Sequence, residues 1–163
     1  MNLNIQATAP QAEFLTLDKR YRLFCAGYGA GKSEAMVYAA LIDAASAPGA
    51  TIACYAPTND LVRLITAPRL VEKLDGLGVN HKYNKQDNAI YVSSPNWGDF
   101  LMRSLDNPDR IVGYESYTAH VDEIDTLPQK QAETAWNRVI GRNREKPPRL
   151  KNPYNQASAY TTP

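Results

Sequence analysis

Two cysteines in 163 residues, Cys25 and Cys54, are too few for a disulfide framework and stand in no zinc-binding pattern. Both lie in apolar, strand-like runs, which predicts buried thiols in a reducing compartment. No stretch approaches the roughly 18 apolar residues a membrane-crossing helix needs, and the mean hydropathy is -0.45. Met1 to Pro10 has no basic flank leading into an apolar core, so the pattern of a secretion signal is missing. Neither sign of charge prevails. Eighteen Lys and Arg face seventeen Asp and Glu, a net +1 that selects no class of partner. There is no internal repeat and no low-complexity tract, and 44% hydrophobic with 21% charged residues excludes a chain disordered throughout. The length accommodates one domain, residues 1–163, able to bury roughly two-thirds of its unfolded surface.

What the sequence does have is alternation between strand and helix patterns. Arg22 to Ala26 is a short apolar run ending in the glycine-rich turn Gly27 to Gly31. Lys32 to Ser46 reads as an alanine-rich helix stopped by Pro48-Gly49, and Thr51 to Ala56 as a buried strand. Thr58 and Asn59 can cap a helical segment running to Leu77, with Gly78 as its C-terminal cap and Pro68 kinking or splitting it. Lys82 to Asn84 and Ala89 to Ser93 flank a hairpin loop, and Phe100 to Ser104 follows as a strand. Thr118 to Val121 is a strand running into Asp122-Glu123; Gln129 to Ile140 is a helix and Ala157 to Thr161 a last strand. The order predicts a three-layer α/β domain with a mostly parallel central sheet and a local antiparallel hairpin.

A strand, a glycine-rich turn and a helix opening on Lys32-Ser33 is the phosphate-loop arrangement of P-loop nucleotide-binding domains. Successive backbone N–H groups, here of Gly27, Tyr28, Gly29, Ala30, Gly31, Lys32 and Ser33, must turn inward around a polyphosphate, which glycine permits at positive φ. The helix N-terminus adds unpaired N–H groups and a positive dipole end. Lys32 is then placed for the β- and γ-phosphates, and the Ser33 hydroxyl for Mg²⁺. The strict pattern has glycine where this chain has Ala26. A hydrolase also needs a carboxylate for Mg²⁺ and a base for the attacking water. Asp122 and Glu123 offer both, at the C-terminal end of a strand where α/β sheets bind ligands. Asp125 follows closely and can instead cap the next segment.

In combination these stretches resemble the N-terminal ATPase domain of tailed-phage terminase large subunits, and the resemblance runs nearly the length of the chain. Besides the phosphate loop and the acidic pair, Ala9 to Leu15 is similar to the family's adenine-recognition segment, with Gln11 as the matching residue. Ser158 to Pro163 resembles the coupling motif, with Thr161 and Thr162 matching its hydroxyl residues. The resemblance implies a three-layer P-loop NTPase of the additional-strand, RecA-like class that hydrolyses ATP with Mg²⁺. It implies double-stranded DNA, a portal protein and a small terminase subunit as partners, and a ring of identical subunits. The site of action would be the host-cell cytoplasm, docked transiently on the procapsid, with no membrane partner. The family's second domain, a metal-dependent nuclease, finds no room in 163 residues.

Many relatives carry a basic residue inside the phosphate loop, where this chain has Tyr28. Arg110 stands where the family places an arginine acting on a neighbouring subunit; a local salt bridge to Asp109 or Glu115 is the alternative. Arg138, Arg142, Arg144, Lys146, Arg149 and Lys151 form a basic stretch against the single acid Glu145, suited to phosphate or nucleic acid or else to a solvated loop beside Pro147 and Pro148. The rival functions are the ATPase domain of a superfamily 2 DNA helicase and a nucleotide-binding module without turnover. A metabolic kinase is disfavoured, since no lid or nucleoside-pocket signature is present.

Overall fold

The computed structural model describes residues 5–146 and 155–163. Pro147, Pro148, Arg149 and Lys151 lie outside the described residues. In chain order the elements are α1 (Ala9–Thr16), β1 (Tyr21–Cys25), α2 (Lys32–Ser46), β2 (Thr51–Ala56), α3 (Asn59–Leu61), a π-helical segment (Val62–Thr66) and α4 (Ala67–Gly76). There follow β3 (His81–Asn84), β4 (Ala89–Val92), β5 (Asp99–Ser104), β6 (Thr118–Asp122), α5 (Gln129–Arg142) and β7 (Ala157–Thr161), with one-turn 3₁₀ segments at Pro108–Arg110 and Ile124–Thr126.

The strands form a single seven-stranded sheet in the order β1-β7-β6-β2-β5-β4-β3. The first five are parallel, and β4 and β3 close the far edge as an antiparallel hairpin. Strand β7 lies between the phosphate-loop strand β1 and the acidic strand β6, which is the additional-strand arrangement. Alternation along β2 explains the layers. Ile52, Cys54 and Ala56 face one core with α1, α2 and α4, while Ala53 and Tyr55 face a second core under α5. Alanine richness lets α2 lie close on the sheet, with Ala35, Ala39, Ala40 and Ala44 all buried.

Two local expectations are corrected, and one element is new. Cys54 is buried but Cys25 is exposed, because β1 is an edge strand whose burial alternates weakly. The helical segment after Thr58 does break, but upstream of Pro68: the π turn over Val62–Thr66 absorbs an extra residue, and Pro68 sits harmlessly in the first turn of α4. Helix α1, not among the strands and helices expected from the sequence, opens on a capping box. The Gln11 side chain accepts from the Thr8 backbone N–H at 2.9 Å, and Pro10 occupies the first turn.

Candidate functional site

The phosphate loop spans Gly27 to Gly31, with Gly29 at φ +73° and Gly31 at φ +78°. Gly31 is the N-cap of α2, and a Cβ there would lie 2.5 Å from Gln11 Nε2, so the position requires glycine on both counts. Ala26 is tolerated in place of the pattern's glycine because its φ is not positive; its N–H donates to the Thr161 carbonyl at 3.1 Å. The buried Lys32 ammonium donates to the Ala26 and Gly27 carbonyls at 2.8 and 2.9 Å, which holds a cation across the loop. Tyr28 is exposed at the loop tip, with its ring 5.6 Å from Lys32 Nζ.

Beside the loop, Ser33 lies close to Asp122, the last residue of β6, and favours its ionised form. The Asp122 oxygen Oδ1 is buried without a partner among the described residues. Burial raises the Asp122 pKa and the Glu123 charge adds to the rise, against opposing effects of Ser33 and Arg69. A hydroxyl beside an unsatisfied carboxylate oxygen is the donor set that a hard divalent cation accepts, so these residues fit Mg²⁺. Glu123 adopts a left-handed backbone, φ +48°, and its N–H donates to the Tyr160 carbonyl at 2.8 Å. Such backbone strain, of order 1–3 kcal/mol, persists where surrounding contacts over-determine it.

A cavity of about 110 Å³ joins these groups. Ser33, Asp122 and Glu123 bound one side, and Leu61, Ile65, Thr66 and Arg69 the other. Arg69 was not among the arginines singled out in the sequence. Arg69 follows Ile65 and Thr66 by four and three residues, the spacing that puts all three on the helix face turned to the acids.

The remaining sequence candidates lie around this centre rather than in it. Gln11 is buried against the loop, its Nε2 donating to the Gly31 carbonyl at 2.8 Å, which leaves a second N–H. Thr161 lines an apolar groove with Leu23 and Trp136 on the α5 face, turned away from the cavity. The Thr162 N–H donates to Asp125 Oδ2 at 3.2 Å, so Asp125 ties down the segment that follows β7. Arg110 is exposed and has no ion-pair partner among the described residues. The anticipated local bridges go elsewhere: Asp109 pairs with Arg138 at 3.4 Å and Glu115 with Arg144 at 2.7 Å. Arg142 donates to the Ile111 carbonyl at 3.3 Å. Arg138, Arg142 and Arg144 of the basic stretch are therefore engaged within the fold.

An additional strand between the loop strand and the acidic strand, with Lys32, Ser33, Asp122 and Glu123 gathered at the carboxyl edge, defines a P-loop nucleotide-binding domain. Within that class the family is specific: the profile of "Terminase large subunit, T4likevirus-type, N-terminal" matches residues 23–163, and the chain belongs to that family. No curated protein matches significantly. Among solved structures, the ATPase domain of the large terminase of Thermus phage P74-26 superposes with a TM-score of 0.74 at 21% identity, over 97% of this chain and 65% of that one. The large terminase of a thermophilic bacteriophage in complex with ADP gives 0.73 at 18% identity, over 94% and 38%. That of bacteriophage HK97 gives 0.69 at 12%, over 96% and 33%. These likenesses show the shared fold. This chain spans about two-thirds of the isolated ATPase domain and little more than a third of the longer terminases.

Proposed function

We propose that this chain binds and hydrolyses ATP as the motor domain of a phage DNA-packaging terminase. The observation that carries the reading is the convergence of Ser33, the unpartnered Asp122 oxygen and Glu123 on one cavity beside the Lys32 loop. Nucleotide complexes of similar terminases, with ADP and with ATP-γ-S, support it.

In this reading Lys32 exchanges the Ala26 and Gly27 carbonyls for β- and γ-phosphate oxygens, and the loop N–H groups line the polyphosphate. Ser33 and Asp122 hold Mg²⁺, which when bound neutralises charge on the phosphate oxygens. Glu123 orients the attacking water from its fixed left-handed position. Arg69 contributes cationic charge from the same subunit, where Tyr28 takes the place of a basic loop residue. Arg110, exposed and unpaired among the described residues, is free to reach a neighbour's γ-phosphate in a ring. Gln11 reads adenine with its remaining N–H, and the segment Thr161-Thr162 reports the γ-phosphate to the DNA-moving parts. Double-stranded DNA, the portal and the small subunit are the partners of the assembled motor in the host cytoplasm.

Calorimetric titration with Mg²⁺ and ATP-γ-S tests the site. Wild type binds, Lys32→Ala weakens binding at least about tenfold through loss of a charge-assisted phosphate contact, and Arg69→Ala retains affinity while slowing phosphate release from ATP. Equal affinity of wild type and Lys32→Ala would contradict the reading.

A further inference from the structure

A line of buried polar side chains crosses the sheet beneath α2, and none of the five is more than 9% exposed. Arg22 on β1 donates through Nε to Ser158 Oγ on β7 at 3.0 Å. On the same strand, the Tyr160 hydroxyl lies 3.2 Å from Nδ1 of His120 on β6. His120 Nε2 lies 3.0 Å from Oδ2 of Asp43 on α2. Arg22, Ser158, His120 and Cys54 are consecutive register partners, so they share one face of the sheet. The ends carry opposite charges, Arg22 and Asp43. A neutral imidazole satisfies both neighbours, with Nε2–H donating to the carboxylate and Nδ1 accepting from the phenol. The Phe14 ring of α1 closes the line, 5.3 Å from the Tyr160 ring and beneath the Arg22 guanidinium at 5.2 Å.

What this line connects sets it apart from an ordinary core. Asp43 belongs to the helix that opens on Lys32 and Ser33, and His120 stands two residues before Asp122. The Tyr160 main-chain carbonyl holds the Glu123 N–H, and the next carbonyl, Thr161, holds the Ala26 N–H at the mouth of the loop. The Tyr160 side chain is thus fixed from the phosphate-loop helix while its backbone fixes the strained Glu123. An apolar set of similar volume would fill the space with no desolvation cost, whereas hydrogen-bonded groups with directional partners specify one register.

We infer that Tyr160 and His120 are positioning residues: through Asp43 they lock the coupling strand to the phosphate-loop helix, so that a shift of that helix on nucleotide binding is delivered to the Glu123 peptide. This rests on the ATPase reading above and extends it to side chains that touch neither nucleotide nor metal.

The test compares wild type, Tyr160→Phe, His120→Gln and a cavity control, Cys54→Ala, in the same row of the sheet. ATP-γ-S affinity, ATP turnover and amide exchange at Glu123 are followed below the unfolding temperature of every variant. Tyr160→Phe is expected to keep the wild-type affinity, to lose about tenfold in kcat, the scale of one buried hydrogen bond, and to lose the nucleotide-dependent protection of the Glu123 amide. Cys54→Ala should lower the melting temperature while keeping both. Turnover and exchange in Tyr160→Phe that match the cavity control would overturn the inference and leave the ATPase reading standing. A wild-type chain that neither binds nor turns over ATP would overturn both.

Discussion

Asp122 serves two opposed demands. The proposed Mg²⁺ site would require an ionised carboxylate, but burial and the neighbouring Glu123 raise its pKa, and one oxygen has no partner among the described residues. Between the ordinary carboxylate value and this raised one, the native state keeps a proton that the unfolded chain has released. Without divalent cations, the Asp122 contribution to stability is therefore fully present at pH below the ordinary value and is lost as pH rises through the raised one. Asp122→Asn should melt at a higher temperature than wild type at neutral pH in EDTA, with the difference shrinking as the medium is acidified. The same variant should lose the Mg²⁺-dependent gain in nucleotide affinity. Thermal melts across pH check the first outcome; a variant less stable than wild type at neutral pH would contradict it. The strained Glu123 beside it fits the same proposal, since left-handed backbone is held at a local cost in stability.

At the scale of elements, the loop works because α1 and α2 meet at Gly31. Gly31→Ala places a methyl group in the left-handed region, at about 1–2 kcal/mol, and within 2.5 Å of Gln11 Nε2. The expected result is a melting temperature lower by about 4 °C, on the usual scaling for a domain near this size, with weaker ATP-γ-S binding in the same titration. An unchanged melting temperature would show that α1 does not seat against the loop. The loop itself was legible in the sequence, since an apolar run, glycines and an alanine-rich helix are contiguous and local. Asp122-Glu123 was legible too, because a strand ending in acids puts them at the carboxyl edge by topology alone. Helix α1 escaped because its signal is a capping box of two residues, Thr8 and Gln11, ahead of a weakly patterned segment. Arg69 escaped because no motif marks it: only the tertiary packing of its helix brings it to the cavity that Asp122 and Glu123 line. Exposure of Cys25 depends on β1 ending the sheet, a property of strand order rather than of the run Tyr21–Cys25.

For the whole molecule, the sheet runs from the hairpin edge at β3 to the loop strand β1, which among the described residues pairs with β7 alone. The first core, on the α2 side, joins α1, α2 and α4 to the sheet and so ties the loop, the acids and the coupling strand into one packed body. The carboxyl ends of β1, β7 and β6 are cross-bonded there, Ala26 to Thr161 and Glu123 to Tyr160, which links the loop and the acids through β7. That linkage suits the proposed motor role. The most direct test of the central claim is phosphate release from Mg²⁺-ATP by wild type and by Glu123→Gln, each shown to bind ATP-γ-S. Hydrolysis by wild type with a loss of at least about a hundredfold in Glu123→Gln, the range of general-base contributions, is the predicted result. Equal rates in the two proteins would contradict it.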